Sequence, residues 1–199
     1  MNTRTERIMK ALEERGLSQM LVVDPMSIYY MTGVYIEPHE RFYGLLLRKN
    51  GDHVLFLNNL FTIPDGVELE EVWYSDTDPV MDYVMKYIDP NCKLGVDKDI
   101  KARFLLPLME NHAATGFENA SLAVDVTRGI KDEEEKEKMR AASKVNDQAI
   151  ARFRELVKEG ITEKEIADQT LEIYKELGAE GFSFDPIVSF GANAADPHH

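Results

Sequence analysis

Gly44-Leu-Leu-Leu-Arg48-Lys-Asn50-Gly51-Asp-His53-Val-Leu-Phe-Leu57 is a pair of apolar runs separated by an Asn-Gly. Each run has the length and composition of a buried strand. Asn-Gly readily takes the positive-φ conformations that a tight hairpin turn demands. The stretch therefore predicts an antiparallel β-hairpin with strands over 44–48 and 53–57.

Toward the N-terminus, Ile8, Met9 and Leu12 recur at helical spacing and Gly16 stands where a helix-ending glycine would, so a helix is expected over 5–15. Leu17 to Val23 reads as a strand. Asp24-Pro25 then opens a short helix, with Asp24 as cap and Pro25 in the first turn, running through Ile28 and Met31 to Thr32-Gly33. Val34 to Arg41 is polar and aromatic, contains Pro38 and predicts a flexible surface loop.

On the other side of the hairpin, Glu71 to Tyr74 predicts a strand, and Asp78-Pro79 starts a helix through Ile88 with Val80, Val84 and Ile88 on one face. Lys93 to Val96 (strand), Ile100 to His112 (helix) and Ser121 to Val124 (strand) complete the pattern. Strands and helices alternate around one antiparallel hairpin. This is the signature of an α/β unit, a mixed sheet flanked by helices, over residues 1–125.

Residues 126–131 form a short connection, after which the alternation stops. One helix is expected over 132–158, with Met139, Ala142, Asn146, Ala149, Phe153 and Leu156 in a stripe. A second is expected over 162–178, opened by a capping box between Thr162 and Glu165 and closed by Gly178. Ile166, Thr170, Ile173 and Leu177 are its expected buried face. Two helices and a strand at Ile187 to Phe190 cannot bury their own apolar faces, so 132–199 is expected to be the incomplete start of a second domain.

The composition excludes several functions. With a net charge of −13 over 199 residues and no basic patch, nucleic acid and anionic lipid are unsuitable partners. The acidic run Asp132 to Lys138 is read as a solvated helix start, its acids near the positive end of the helix dipole. No apolar run approaches the roughly 20 residues of a membrane span, and the first residues lack a secretory signal, so a cytoplasmic location is expected. The single cysteine, Cys92, excludes an internal disulfide and a Cys-rich zinc site. His39, His53 and His112 lie far apart, none with a carboxylate or second imidazole at helical ligand spacing.

The chain closes on Phe184-Asp-Pro-Ile-Val-Ser-Phe-Gly-Ala-Asn-Ala-Ala-Asp-Pro-His198-His199. An apolar run breaks into small turn residues, and Pro197 fixes the backbone before His198. By local sequence, this is either a held functional histidine or a surface loop ending in a tag stub.

The order of motifs separates these readings. Tyr30-Met-Thr-Gly33, the hairpin at Asn50-Gly51, Thr127-Arg128 with Lys131-Asp132 and Glu134 or Glu135, Gly160-Ile-Thr-Glu163-Lys-Glu165-Ile166, and Phe184 through Pro197-His198 together resemble the Xaa-Pro peptidases. This is the prolidase and aminopeptidase P group of the pita-bread fold, and the bacterial Xaa-Pro dipeptidases in particular. The resemblance runs over essentially the whole chain. It implies a creatinase-like N-terminal domain followed by the truncated start of an α+β pita-bread metallopeptidase domain.

It further implies hydrolysis of the bond before proline in dipeptides. That bond is a tertiary amide without an N–H, unsuited to ordinary peptidase clefts. In the family, two metal ions about 3.5–4 Å apart activate water and polarise the carbonyl. A histidine at the place of His198 binds the substrate or intermediate. The implied ligands, two aspartates, a histidine and two glutamates, lie downstream of that histidine, so no metal ligand is expected in this chain and the chain alone is expected to be inactive. Two divalent ions, Mn, Co or Zn, are implied for the full-length enzyme, together with a homodimer.

The resemblance also suggests that a loop of the first domain restricts substrate access, and Tyr35, His39 and Arg41 in the 34–41 loop are the candidates. Alternatives are an aminopeptidase P, a metal-free creatinase-like amidinohydrolase, and a non-catalytic creatinase-like dimerisation module. The residues leave open the metal, the dipeptidase or aminopeptidase preference, the origin of the short chain, and whether His199 is native or tag.

Overall fold

The computed structural model describes residues 3–196. The chain divides into two compact units, Met1–Ile130 and Lys131–His199. The first is α/β, as the sequence predicts. Its helices are α1 (Thr3–Glu13), α2 (Pro25–Thr32), α3 (Val80–Met85), α4 (Ala102–Glu110) and α5 (Ser121–Gly129). Its strands are β1 (Gln19–Val22), β2 (Gly44–Arg48), β3 (Val54–Asn58), β4 (Glu70–Tyr74), β5 (Leu94–Val96) and β6 (Phe117–Asn119).

The strands form one mixed sheet of order β4-β3-β2-β1-β5-β6. β2 is antiparallel to β1 and β3, while β4, β5 and β6 each join in parallel. The central strands are buried along almost their whole length and apolar except at Gln19, Arg48 and Asn58, because both faces are covered. Their alternation divides the core in two. Met20, Val22, Leu45, Leu47, Leu55 and Leu57 meet Ile8 and Leu12 of α1, Ile28 of α2 and Val124 of α5. Leu21, Leu46, Val54 and Phe56 meet Val84 of α3 and Phe104 and Leu108 of α4. Each such fully buried side chain contributes about 1.5–3 kcal/mol relative to exposure.

The hairpin forms where expected, but its connection is longer than a two-residue turn, with a ladder that closes at Leu46 opposite Val54. Gly51 takes a φ of 86°, and the His53 side chain explains the extra length. Its Nδ1 accepts the Arg48 N–H at 3.1 Å, replacing a ladder acceptor with an imidazole. Burial lowers the pKa of His53 from 6.5, helped by nearby Arg48 and opposed by Asp52. A protonated imidazole donates from both nitrogens and cannot accept that bond. The native state therefore binds fewer protons than the unfolded chain between the lowered value and 6.5, and stability falls as pH drops through that window. Urea unfolding is expected to show a loss of about 1 kcal/mol there. A His53→Gln variant should lack this component of the slope, and an unchanged slope would contradict the role.

Three elements of this unit differ from expectation. The segment 121–124 is not a strand but the start of α5, whose buried residues Ser121, Ala123, Val124 and Thr127 follow a helical spacing. The sixth strand is instead Phe117–Asn119, short and polar, paired with β5. A side chain at Gly95 would stand 2.8 Å from the Cβ of Ala120, so glycine lets the chain after β6 close onto β5. α3 is also shorter than predicted, ending at Met85.

The second unit contains α6 (Glu133–Leu156), α7 (Glu163–Glu176) and a short 3-10 turn at Asn193–Ala195. Both long helices open with capping boxes, Asp132 with Glu135 and Thr162 with Glu165. They are joined by the Tyr174 hydroxyl, which donates to Asn146 Oδ1 at 2.7 Å, and by the edge-on Phe153–Tyr174 ring pair. Of the predicted α6 stripe only Ala149 is buried, and Met139 is 58% exposed. Ile166 and Thr170 of α7 are buried as predicted. Ile187 to Phe190 is not a strand, since no strand in this unit, among the described residues, offers a ladder partner.

Candidate functional site

In open α/β sheets, ligands gather outside the carboxyl ends of parallel strands where the strand order reverses. Here that point lies between β1 and β5, because the chain leaves β1 toward β2 on one side and returns to β5 on the other. The crevice is closed by the chain itself. Asp97, 3% exposed, follows β5, and its Oδ2 accepts the N–H groups of Val23 and Asp24 at 3.3 and 3.2 Å. Its Oδ1 accepts the Asp99 N–H at 3.0 Å. Burial pushes this carboxyl up, against the lowering by the three backbone donors.

Above it, Asp24 caps α2 by accepting from the Ser27 N–H and hydroxyl at 2.9 and 2.6 Å. Arg128 of α5 donates to Asp24 Oδ2 and Ser27 Oγ at 3.3 and 3.0 Å. The polar residues at this switch point thus tie β1, β5, α2 and α5 together.

The 34–41 segment is better anchored than its composition suggests. Val34 and Ile36 are buried, and the Tyr43 hydroxyl donates to the Val34 carbonyl. Tyr35 is 53% exposed and packs edge-on against Tyr29. His39 is exposed with a φ of 53°, and its carbonyl accepts from Lys101 Nζ. Arg41 donates to both carboxylate oxygens of Asp76, at 2.8 and 2.7 Å. That pairing raises the Arg41 pKa and lowers that of Asp76.

In the second unit, the segment before the terminal histidines is held by α7. The Glu163 Oε1 accepts the Phe190 N–H at 2.5 Å, and the Asn193 amide donates to Oε1 and Oε2 at 3.0 and 3.1 Å. Gly191 turns the chain with a φ of 51°. The Asn193, Ala195 and Asp196 N–H groups then donate to the carbonyls of Phe190, Ala192 and Asn193. These bonds lock a run of small residues into one path. His198, the predicted substrate-binding residue, lies outside the described residues. Beside this turn an apolar trough of about 820 Å³ opens between α6, α7 and the 181–190 segment, lined by Ile150, Phe153, Val157 and Phe184. The Ser189 Oγ is buried without a hydrogen-bond partner among the described residues.

Among the described residues, no group of three or more His, Cys, Asp and Glu side chains stands where it could hold a metal ion. No described helix is long and apolar enough to cross a membrane.

Two family models match consecutive parts of the chain. Residues 4–130 match the Creatinase/Prolidase N-terminal domain, and residues 137–199 match metallopeptidase family M24. An uncharacterized peptidase of Staphylococcus aureus is 29% identical over 207 residues, covering 98% of this chain and 56% of the relative. The chain thus spans about half the length of the curated relatives it matches. A dipeptidase from Pyrococcus horikoshii superposes with a TM-score of 0.83 at 26% identity, covering 99% of this chain and 56% of that one. A prolidase from Thermococcus sibiricus gives 0.83 at 26%, covering 100% and 57%.

Proposed function

We propose, on the premise that this chain belongs to the Creatinase/Prolidase N-terminal domain family and continues into metallopeptidase family M24, that it is the leading part of a metal-dependent Xaa-Pro dipeptidase. The single observation that carries the reading is the consecutive match of those two families over one chain. Likeness to a dipeptidase and a prolidase at 26% identity supports it.

M24 peptidases depend on divalent metal ions in their full-length form. The described residues do not fit such a centre, so the proposed chemistry of this chain is substrate handling. His198 would donate a hydrogen bond to the carbonyl oxygen of the scissile bond as negative charge develops on it. Mn, Co or Zn ions are proposed for the full-length protein, which would act as a cytoplasmic homodimer on proline-containing dipeptides.

The test compares the 199-residue chain with the product of the complete reading frame, using Leu-Pro and Met-Pro with added Mn²⁺. The 199-residue chain is expected to release no proline. Metal-dependent turnover by a preparation of verified mass would overturn the assignment of the metal-binding half to the remainder of the protein.

A further inference from the structure

We propose that Glu163 is a positioning residue for His198, acting through the Phe190–Asn193 turn. The inference rests on the reading of His198 given above. Glu163 is the first residue of α7, next to the Thr162 cap. An acid there has an ordinary use, since it stabilises the helix by facing the positive end of the dipole. Its carboxylate does more than that here. It takes the backbone N–H of Phe190 and the side-chain amide of Asn193, on either side of the Gly191 turn.

The capping box occupies a different side chain, Glu165, whose Oε2 accepts the Thr162 N–H at 2.8 Å. Two acids in the first turn of α7 therefore have separate tasks. Glu165 closes the helix end, and Glu163 fastens a segment 27 to 30 residues away. Past Phe190, residues 191–195 of that segment are Gly, Ala and Asn, which have little side-chain surface to pack, so their course depends on hydrogen bonds. It leads within five residues from Asn193 to His198. Charge-assisted bonds to backbone and amide donors are the stronger kind, suited to holding a catalytic segment within the tolerance that chemistry demands.

The experiment separates this role from a helix-dipole effect. In the complete protein, Glu163→Ala is expected to lower kcat for Leu-Pro roughly 10- to 100-fold, with KM and bound metal little changed. Glu163→Gln should recover most of the loss, because its carbonyl accepts from Phe190 and a turned Asn193 amide can present its oxygen to the new NH₂. Loss of the helix-dipole charge alone would leave Gln as poor as Ala. Asn193→Ala, outside the helix, should reproduce part of the loss. The double variant should be no worse than Glu163→Ala, since both changes remove one device.

In the 199-residue chain, the Phe190 amide proton is expected far downfield and should move upfield in Glu163→Ala. A Phe190 resonance unmoved by Glu163→Ala, normal turnover in that variant, or equal loss in Gln and Ala would each overturn the proposal. Failure of the His198 reading shows itself separately, as unchanged turnover in His198→Ala, whatever Phe190 does.

Discussion

His198→Ala in the complete protein is expected to reduce kcat for Leu-Pro by about 10²–10³-fold, the loss typical of removing one donor to a developing oxyanion. Bound metal should stay at the wild-type level, because the imidazole is assigned to the substrate and not to the ions. The separation of the two readouts is the point. A group that contacts only the reacting carbonyl lowers turnover without weakening the metal centre. Equal loss of metal and activity would instead make His198 a ligand and contradict its role. The turn that precedes it in sequence is built by residues of unremarkable type: a glycine that accepts positive φ, successive backbone turns from Phe190 to Asp196, and the Glu163 carboxylate.

Asp97→Ala is expected to destabilise the first unit by about 2–3 kcal/mol, because it strands the N–H groups of Val23, Asp24 and Asp99 beside a buried gap. Asp97→Asn should cost less, about 1 kcal/mol, since one carbonyl oxygen keeps part of the set while its NH₂ meets a donor. Trp73, the only tryptophan, lies in β4 and reports unfolding of this unit by fluorescence. A change under about 0.5 kcal/mol for Asp97→Ala, the range of an ordinary surface substitution, would show that the carboxylate does not close the crevice. The wider consequence concerns function. The carboxyl ends of β1 and β5, the place where other α/β proteins receive a ligand, are here bridged by the chain's own aspartate.

Local signals were the legible part of this molecule. Asp24-Pro25 caps and starts α2 as read, Asn50-Gly51 does lie in a hairpin connection, and Thr162 with Glu165 forms the expected box. The mixed sheet followed from the alternation of strand and helix patterns. What escaped was short or long-range. Phe117-Glu-Asn119 is too brief and polar to register as a strand; its place comes from pairing with β5. Ser121 to Val124 reads as a strand by apolar content, yet Leu122 is 58% exposed while Val124 and Thr127, one helical turn apart, are buried.

The contacts that shape the candidate sites were invisible for a related reason. Asp97 reaches Val23 across 74 positions, Arg41 reaches Asp76 across 35, and Glu163 reaches Asn193 across 30. No periodicity encodes such pairs. Glu163 in particular looks like a routine first-turn acid, and its partner Asn193 like a routine loop residue. The resemblance to Xaa-Pro peptidases supplied the functional frame, and two family models match consecutive parts of the chain.

The most direct measurement is proline release from Leu-Pro by the complete gene product, assayed with Mn²⁺ and after chelation, beside creatine as the competing substrate. Metal-dependent cleavage of Leu-Pro, lost on chelation and absent with creatine, is the predicted result. An intact Leu-Pro with metal present, or creatine hydrolysis that survives chelation, would contradict the account.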